Sequence, residues 1–303
     1  MASPKLTTKN RAAVSLSEQL CPTLVLREHF CCLRCRSLKG GGSQPGIPML
    51  EARELTKTYS SVPAVTAVSF CLTPGQVMGC LGPNGSGKST TVKMLTGLLE
   101  PTRGKVLFNG EDIRRDLVGF RRHLGYVPEE PNLYPYLSGR EYLELIGSLR
   151  GMPPVKLERK IDSLLDLFSL YPHRHASIAS YSKGMRQRIL LIAALMNDPK
   201  LLIFDEPLSG LDVTTALILK NLIRELGQQG RAVFYCSHVL EVVEQVCSHL
   251  LILRKGAVIA CDTTQAIHSR IADSSLETTF MHLIEEVDTH QVARDIVTAI
   301  EAN

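Results

Sequence analysis

Gly82-Pro-Asn-Gly-Ser-Gly87-Lys88-Ser89 fits the pattern G-x-x-x-x-G-K-[ST], and its neighbours set it where that pattern works. Before it, Gln76 to Leu81 (QVMGCL) reads as a short apolar strand; after it, Thr90 to Leu99 reads as a helix with Val92, Leu95 and Leu98 on one face. In a strand–loop–helix of this kind the glycines let backbone N–H groups turn inward around phosphate oxygens, and the helix start adds positive potential. Lys88 brings a full charge toward β- and γ-phosphates, and Ser89 offers its hydroxyl to Mg²⁺. The expected phosphate-binding set is Gly82, Pro83, Asn84, Gly85, Ser86, Gly87, Lys88, Ser89 and Thr90.

Further along, Leu201-Leu-Ile-Phe-Asp205-Glu206-Pro207 places two acids after four apolar residues. Such a run reads as a strand buried on both faces, ending where loops leave a parallel sheet to meet ligands. Neighbouring strand residues point in opposite directions, so Asp205 is expected to serve the metal and Glu206 the attacking water. Tyr181-Ser182-Lys183-Gly184-Met185 precedes the apolar helix Ile189 to Met196. Ser182 is its expected N-cap, and Gly184 is expected to let a ligand approach the first turn, a helix start that favours an anion. Ala232-Val-Phe-Tyr-Cys236-Ser237-His238 is another buried strand, and His238 stands at its end as the acids stand at theirs. The other histidines, including His173 and His175, read as surface residues.

Around these pieces strands and helices alternate, the mark of an α/β fold with a largely parallel sheet. Asn109-Gly110 in Lys105–Ile113 and Lys255-Gly256 in Leu250–Ala260 signal hairpins. Residues 132–180 break the alternation as a helical insert, with stripes at Tyr142, Leu145, Ile146 and Leu149, then Ile161, Leu164, Leu165 and Phe168. The tail carries two amphipathic patterns, Leu276, Phe280, Leu283 and Ile284, then Val292, Ile296 and Ile300. The expected organisation is a basic extension and Gly/Pro linker over 1–48, a catalytic unit over 49–265, and a helical tail over 266–303.

The net charge of +4 is unevenly spread: residues 1–48 sum to +5 and the remainder to −1. A near-neutral body argues against a broad nucleic-acid face. The longest uninterrupted apolar run, Ile189 to Met196, is far short of the about 20 residues of a spanning helix, so the chain is not expected to form a pore itself. No secretory signal is expected, since Leu20–Leu26 is broken by Pro22 and Thr23. Nine scattered cysteines fit reduced thiols. Cys32-Leu-Arg-Cys35, with Cys31 and His29, has the look of half a zinc site, but no second pair follows.

Over about residues 50–263 the chain resembles the nucleotide-binding subunits of ATP-binding cassette (ABC) transporters. Lys88 and Ser89 match that family's Walker A loop, Asp205 and Glu206 its Walker B pair, Ser209-Gly-Leu-Asp212 its D-loop, and His238 its switch histidine. Tyr59 matches the aromatic residue on which the family stacks adenine, and Ser182 and Gly184 fall in its signature, usually Leu-Ser-Gly-Gly-Gln. The resemblance implies a P-loop NTPase (RecA-like) core with a mixed sheet, an antiparallel β subdomain and an inserted α-helical subdomain. It also implies ATP and Mg²⁺ as ligands, a head-to-tail homodimer or paired nucleotide-binding subunit with ATP between Lys88 of one copy and Ser182 of the other, and hydrolysis with Lys88, Glu206 and His238 as catalytic residues. Separate transmembrane permease subunits would receive the motion, placing the chain at the cytoplasmic face of the membrane.

Two positions depart from the family pattern. The signature reads Tyr-Ser-Lys-Gly-Met, and the Gln expected after Gly125-Tyr-Val-Pro is Glu129, which as a carboxylate remains a ligand suited to Mg²⁺. Both variants resemble the drug and antibiotic exporter branch and so imply export. Two other classes compete: a soluble ABC ATPase acting on nucleic acid or ribosomes, and a non-hydrolysing nucleotide-gated binding protein. The first usually carries a long coiled coil or two cassettes, whereas about 50 residues separate Glu129 from Ser182 here; the second is disfavoured by intact Glu206 and His238.

Overall fold

The computed structural model describes residues 47–269 and 289–301. The basic head with Cys31, Cys32, Cys35 and His29, and the tail residues Leu276, Phe280, Leu283 and Ile284, lie outside the described residues. Within them, β1 (Leu50–Tyr59) and β2 (Val62–Leu72) form an antiparallel pair, which β4 (Arg103–Phe108) and β5 (Glu111–Asp112) extend to a four-stranded sheet of order β2-β1-β4-β5. Asn109 and Gly110 both take positive φ between β4 and β5, the tight hairpin their sequence signals.

The second sheet holds β3 (Val77–Leu81), β6 (Leu124–Val127), β7 (Leu201–Asp205), β8 (Ala232–Cys236), β9 (His249–Arg254) and β10 (Ala257–Thr263), in the order β10-β9-β3-β8-β7-β6. All its pairings are parallel except β9–β10, which is antiparallel through the Lys255-Gly256 turn. Every residue of β3, β7 and β8 is buried, which accounts for their unbroken apolar runs. One face packs on the antiparallel sheet, where Phe70 stacks on Phe234 at 5.3 Å, and on α1 (Lys88–Leu95) and α2 (Leu117–His123).

The helical insert supplies α3 (Gly139–Leu149) and α4 (Pro154–Leu167). The opposite face of the main sheet is covered by α5 (Lys183–Leu195), α6 (Val213–Gln228), α7 (Leu240–Val246) and α8 (Thr264–Ser269). α5 has apolar residues on two sides. Leu190, Leu191 and Ala194 join the sheet core, while Ile189, Ile192 and Ala193 join a separate cluster with Tyr142, Leu143, Leu157, Ile161 and Leu165 of the insert. A helix apolar all round is a helix buried all round. α9 (Thr289–Glu301) stands with Ile296, Val297 and Ile300 exposed. Among the described residues no helix is long and apolar enough to cross a membrane.

Two expectations need correction. α1 begins at Lys88 and ends at Leu95; positive φ at Gly97 stops it, and Leu98 is exposed rather than part of its buried face. In α3, Tyr142 is buried, but Leu145 and Leu149 are exposed, and the buried face carries Gly139, Leu143 and Gly147 instead. A Cβ at Gly139 would lie 2.5 Å from Tyr181 Oη and one at Gly147 2.2 Å from Leu157 Cδ1, so close approach rather than side-chain bulk selects that face. Cys80, Cys236, Cys247 and Cys261 are free thiols.

The strand feeding the phosphate loop has no spare volume. A Cβ at Gly79 would stand 2.2 Å from Val243 Cγ1 and 3.0 Å from Cys247 Sγ, both on buried residues. Gly79→Ala is therefore expected to destabilise the chain by about 1–3 kcal/mol through overpacking. Val243→Ala removes the nearest obstacle, so the double variant should lose less than the sum of the singles in denaturant titration.

Candidate active site

β3, β7 and β8 are neighbours in one parallel sheet, so their carboxyl ends, and the loops that leave them, fall side by side. From β3 the chain enters residues 82–87 and then α1. Lys88 Nζ donates back to the carbonyls of Gly82 (2.7 Å) and Pro83 (3.1 Å), arching its charge across the loop. The Gly82 Cβ position lies 2.4 Å from Leu253 O, and Gly87, at φ +99°, has Ala64 O 2.8 Å from where its Cβ would be. Two glycines thus let the loop lie flat against β9 and the β1–β2 hairpin. Asn84 and Gly85 are exposed at the rim, with Pro83, Ser89 and Thr90 half-buried. α1 has no side-chain N-cap, and Ser86 Oγ is buried without a hydrogen-bond partner. Uncapped helix amides beside an orphaned hydroxyl suit an anion such as phosphate.

Asp205 ends β7, opposite Cys236 in the register of β8. Burial pushes its carboxyl up from the usual 3.8 to about 6, and the charges of Glu129 and Glu206 push the same way against Lys88 and Lys93. Glu129, exposed in the loop after β6, therefore shares the electrostatic environment of Asp205.

Glu206 is aimed by different geometry from that expected. It is no longer in the strand: at φ +47° it turns out of the pleat, and its N–H donates to Cys236 O at 3.0 Å. Its Oε1 accepts from the backbone N–H of His238 at 2.8 Å and lies 2.7 Å from His238 Nδ1. Its Oε2 accepts from Ser237 Oγ at 3.2 Å. The last residue of the acidic pair and the end of the neighbouring strand thus form one hydrogen-bonded unit. Ser237 carries only a faint sequence signal, a hydroxyl closing an otherwise apolar strand beside His238.

The structure does not bring every expected residue to this centre. Ser182 Oγ caps α5 by accepting from Met185 N at 3.2 Å. Lys183 Nζ donates to Ser209 Oγ at 2.8 Å, and a Cβ at Gly184 would stand 2.7 Å from Gly210 O. Within this chain, then, Gly184 makes room for the turn at 209–212. The buried Gln187 joins α5 to the segment after Glu206 by donating to Pro207 O at 3.2 Å. Tyr59 ends β1, its ring 47% exposed with Lys57 Nζ 5.6 Å from the centroid, on the hairpin whose Ala64 abuts Gly87.

Among the described residues no three His, Cys, Asp or Glu side chains converge on a metal position. Mg²⁺ is ordinarily held by one or two carboxylates together with substrate phosphates and waters, so the donor set of Ser89, Asp205 and Glu129 fits a cation that arrives with a nucleotide. The Asp205 carboxyl is raised first by burial and then by the Glu129 and Glu206 carboxylates against Lys88 and Lys93, so a cation beside it would offset the cost of its charge.

A family model described as "ABC transporter" matches residues 65–209. The chain is 33% identical over 247 residues to the ABC-type transporter ATP-binding protein EcsA of Bacillus subtilis (strain 168), covering 81% of this chain and 100% of that one. It is 34% identical to the linearmycin resistance ATP-binding protein LnrL of the same organism, covering 75% of this chain and 73% of that one. Among solved structures, the dimeric post-hydrolysis state of an ATP-binding cassette bound to ADP and Pi is similar at a TM-score of 0.65 and 25% identity, over 71% of this chain and 98% of that one.

The charge on Asp205 can be tested without ligand. Its folded pKa, about 6, lies above the usual 3.8, so the folded chain keeps a proton that the unfolded chain has released. Stability is therefore lost as pH rises from about 4 through 6 and stays lower above that window. Asp205→Asn should be more stable than the parent at pH 8 by on the order of 1–3 kcal/mol. The gain should shrink toward zero as pH approaches about 4, read from unfolding midpoints with chelator present.

Proposed function

The chain belongs to the family of ABC transporter ATP-binding proteins, and from that premise we propose that it hydrolyses ATP as one of two paired cassettes and drives export through separate membrane-spanning subunits. The observation that carries the hydrolytic part is the hydrogen-bonded Glu206–His238 pair beside Asp205, one strand away from the loop 82–89.

In this reading residues 49–265 form the cassette, with the insert at about 132–180 as its helical subdomain. The amides of Gly82 to Gly87 and the Nζ of Lys88 hold the β- and γ-phosphates, with Pro83, Asn84, Ser86 and Thr90 shaping the loop and Tyr59 receiving the adenine. Ser89, Asp205 and Glu129 would hold Mg²⁺, which when bound supplies Lewis-acid neutralisation of charge on phosphate oxygens. Glu206 orients the attacking water and takes its proton, while Lys88 opposes the negative charge that develops on the transferred phosphoryl group. His238 holds Glu206 through Nδ1, and its side chain, 66% exposed, is open to a phosphate oxygen.

Ser182 and Gly184, which this chain keeps at the start of α5, would meet the ATP held by the other copy, in a closed two-fold assembly. The γ-phosphate then favours the closed pair, and hydrolysis removes that preference, as any ligand-driven shift requires. Export is supported by the Tyr-Ser-Lys-Gly-Met signature and Glu129, and by similarity to a resistance protein. Peripheral attachment to the cytoplasmic face follows from pairing with permease subunits; purifying the complex from membranes and identifying the chains that accompany it tests this, and a lone homodimer would refute it.

Glu206→Gln should bind ATP yet lose hydrolysis by about 10²-fold or more, measured as phosphate release. Lys88→Ala should lose ATP affinity in titration calorimetry; unchanged affinity would remove the loop from the site.

A further inference from the structure

We propose that Ser237 is a positioning residue for hydrolysis, its hydroxyl holding the Glu206 carboxylate in place when the exposed His238 ring turns to a phosphate. The inference rests on the reading of Glu206 as the base. Glu206 sits in left-handed backbone just outside β7, where nothing in the strand pleat aims its side chain. Its direction therefore depends on the groups that hold its two oxygens. Oε1 is held by the N–H and Nδ1 of His238, and Oε2 by Ser237 Oγ.

These two holds differ in permanence. The His238 side chain is 66% exposed, whereas Ser237 is 3% exposed and its own N–H donates to Cys80 O at 3.3 Å, anchoring it to β3. Ser237 Oγ also accepts from Val239 N at 3.1 Å, and its O–H is the proton available to the ionised Glu206 Oε2, which can only accept. The 3.2 Å bond to Glu206 comes from a buried residue tied to β3, so it is in place without reorganisation during the reaction. If His238 leaves Oε1 to contact a phosphate, the Ser237 and His238 main-chain bonds keep the base aimed.

The test compares full-length Ser237→Ala, Ser237→Cys, Ser237→Thr and Glu206→Gln by ATPase kinetics and by ATP titration calorimetry. The expected result is a kcat lowered about 10-fold or more in Ser237→Ala, with KM and ATP affinity within about 2-fold of the parent. Ser237→Cys, which keeps the volume but is a weak donor, should fall similarly, and Ser237→Thr, which restores the hydroxyl, should recover most of the rate. A purely structural role would move affinity and thermal stability and would not be rescued by the hydroxyl alone. Parent-like kcat in Ser237→Ala or Ser237→Cys beside an inactive Glu206→Gln overturns the role of Ser237 and leaves the base intact. A loss confined to KM overturns it too. Parent-like turnover in Glu206→Gln instead removes the base itself.

Discussion

Parallel pairing of three short strands is the constraint on which the rest of this molecule depends. β3 lies against β8 with Cys80 opposite Cys236, and β7 lies against β8 with Asp205 opposite Cys236. That register brings the phosphate loop, the acidic pair and the Ser237-His238 segment to the same edge within two strand spacings, roughly 10 Å. None of these pieces is near another in sequence. A parallel sheet must be covered on both faces, and here the antiparallel sheet and the helices α5 to α8 cover it, so the architecture outside the site is largely what lets those three strand ends stay dry behind and open in front.

The same arrangement concentrates negative charge. Asp205 is buried and surrounded by the influence of Glu129 and Glu206, and Lys88 and Lys93 only partly compensate. Lys88 rests on the loop carbonyls, and the Glu206 carboxylate rests on His238 and Ser237. Each reactive group thus has a partner from its own chain.

The parts of this site that were legible in the sequence are those whose chemistry needs a fixed local pattern: Gly82 to Ser89, Asp205-Glu206 and His238. Their strands were legible because burial on both faces leaves uninterrupted apolar runs. What escaped reading depends on contacts between distant segments. Glu206 was assigned the right neighbourhood by strand alternation, yet it is aimed by a left-handed turn and by residues from β8. Hydrophobic periodicity ignores glycine and so points away from the buried face of α3, where Gly139 and Gly147 pack closely. At Gly184 the helix-start pattern does not reveal the contact made within one chain, where a Cβ would stand 2.7 Å from Gly210 O.

α5 has a consequence for how the chain holds together. Its residues alternate between two hydrophobic clusters, one belonging to the sheet and one to the insert. The insert interrupts the chain between β6 and β7 as if it were a removable module. Excising it would leave Ile189, Ile192 and Met196 facing water along one side of the helix that roofs the sheet, while keeping it and melting α5 would empty both cores at once. The two bodies therefore share a single cooperative boundary: an interruption in the chain, but not a separate unit of folding.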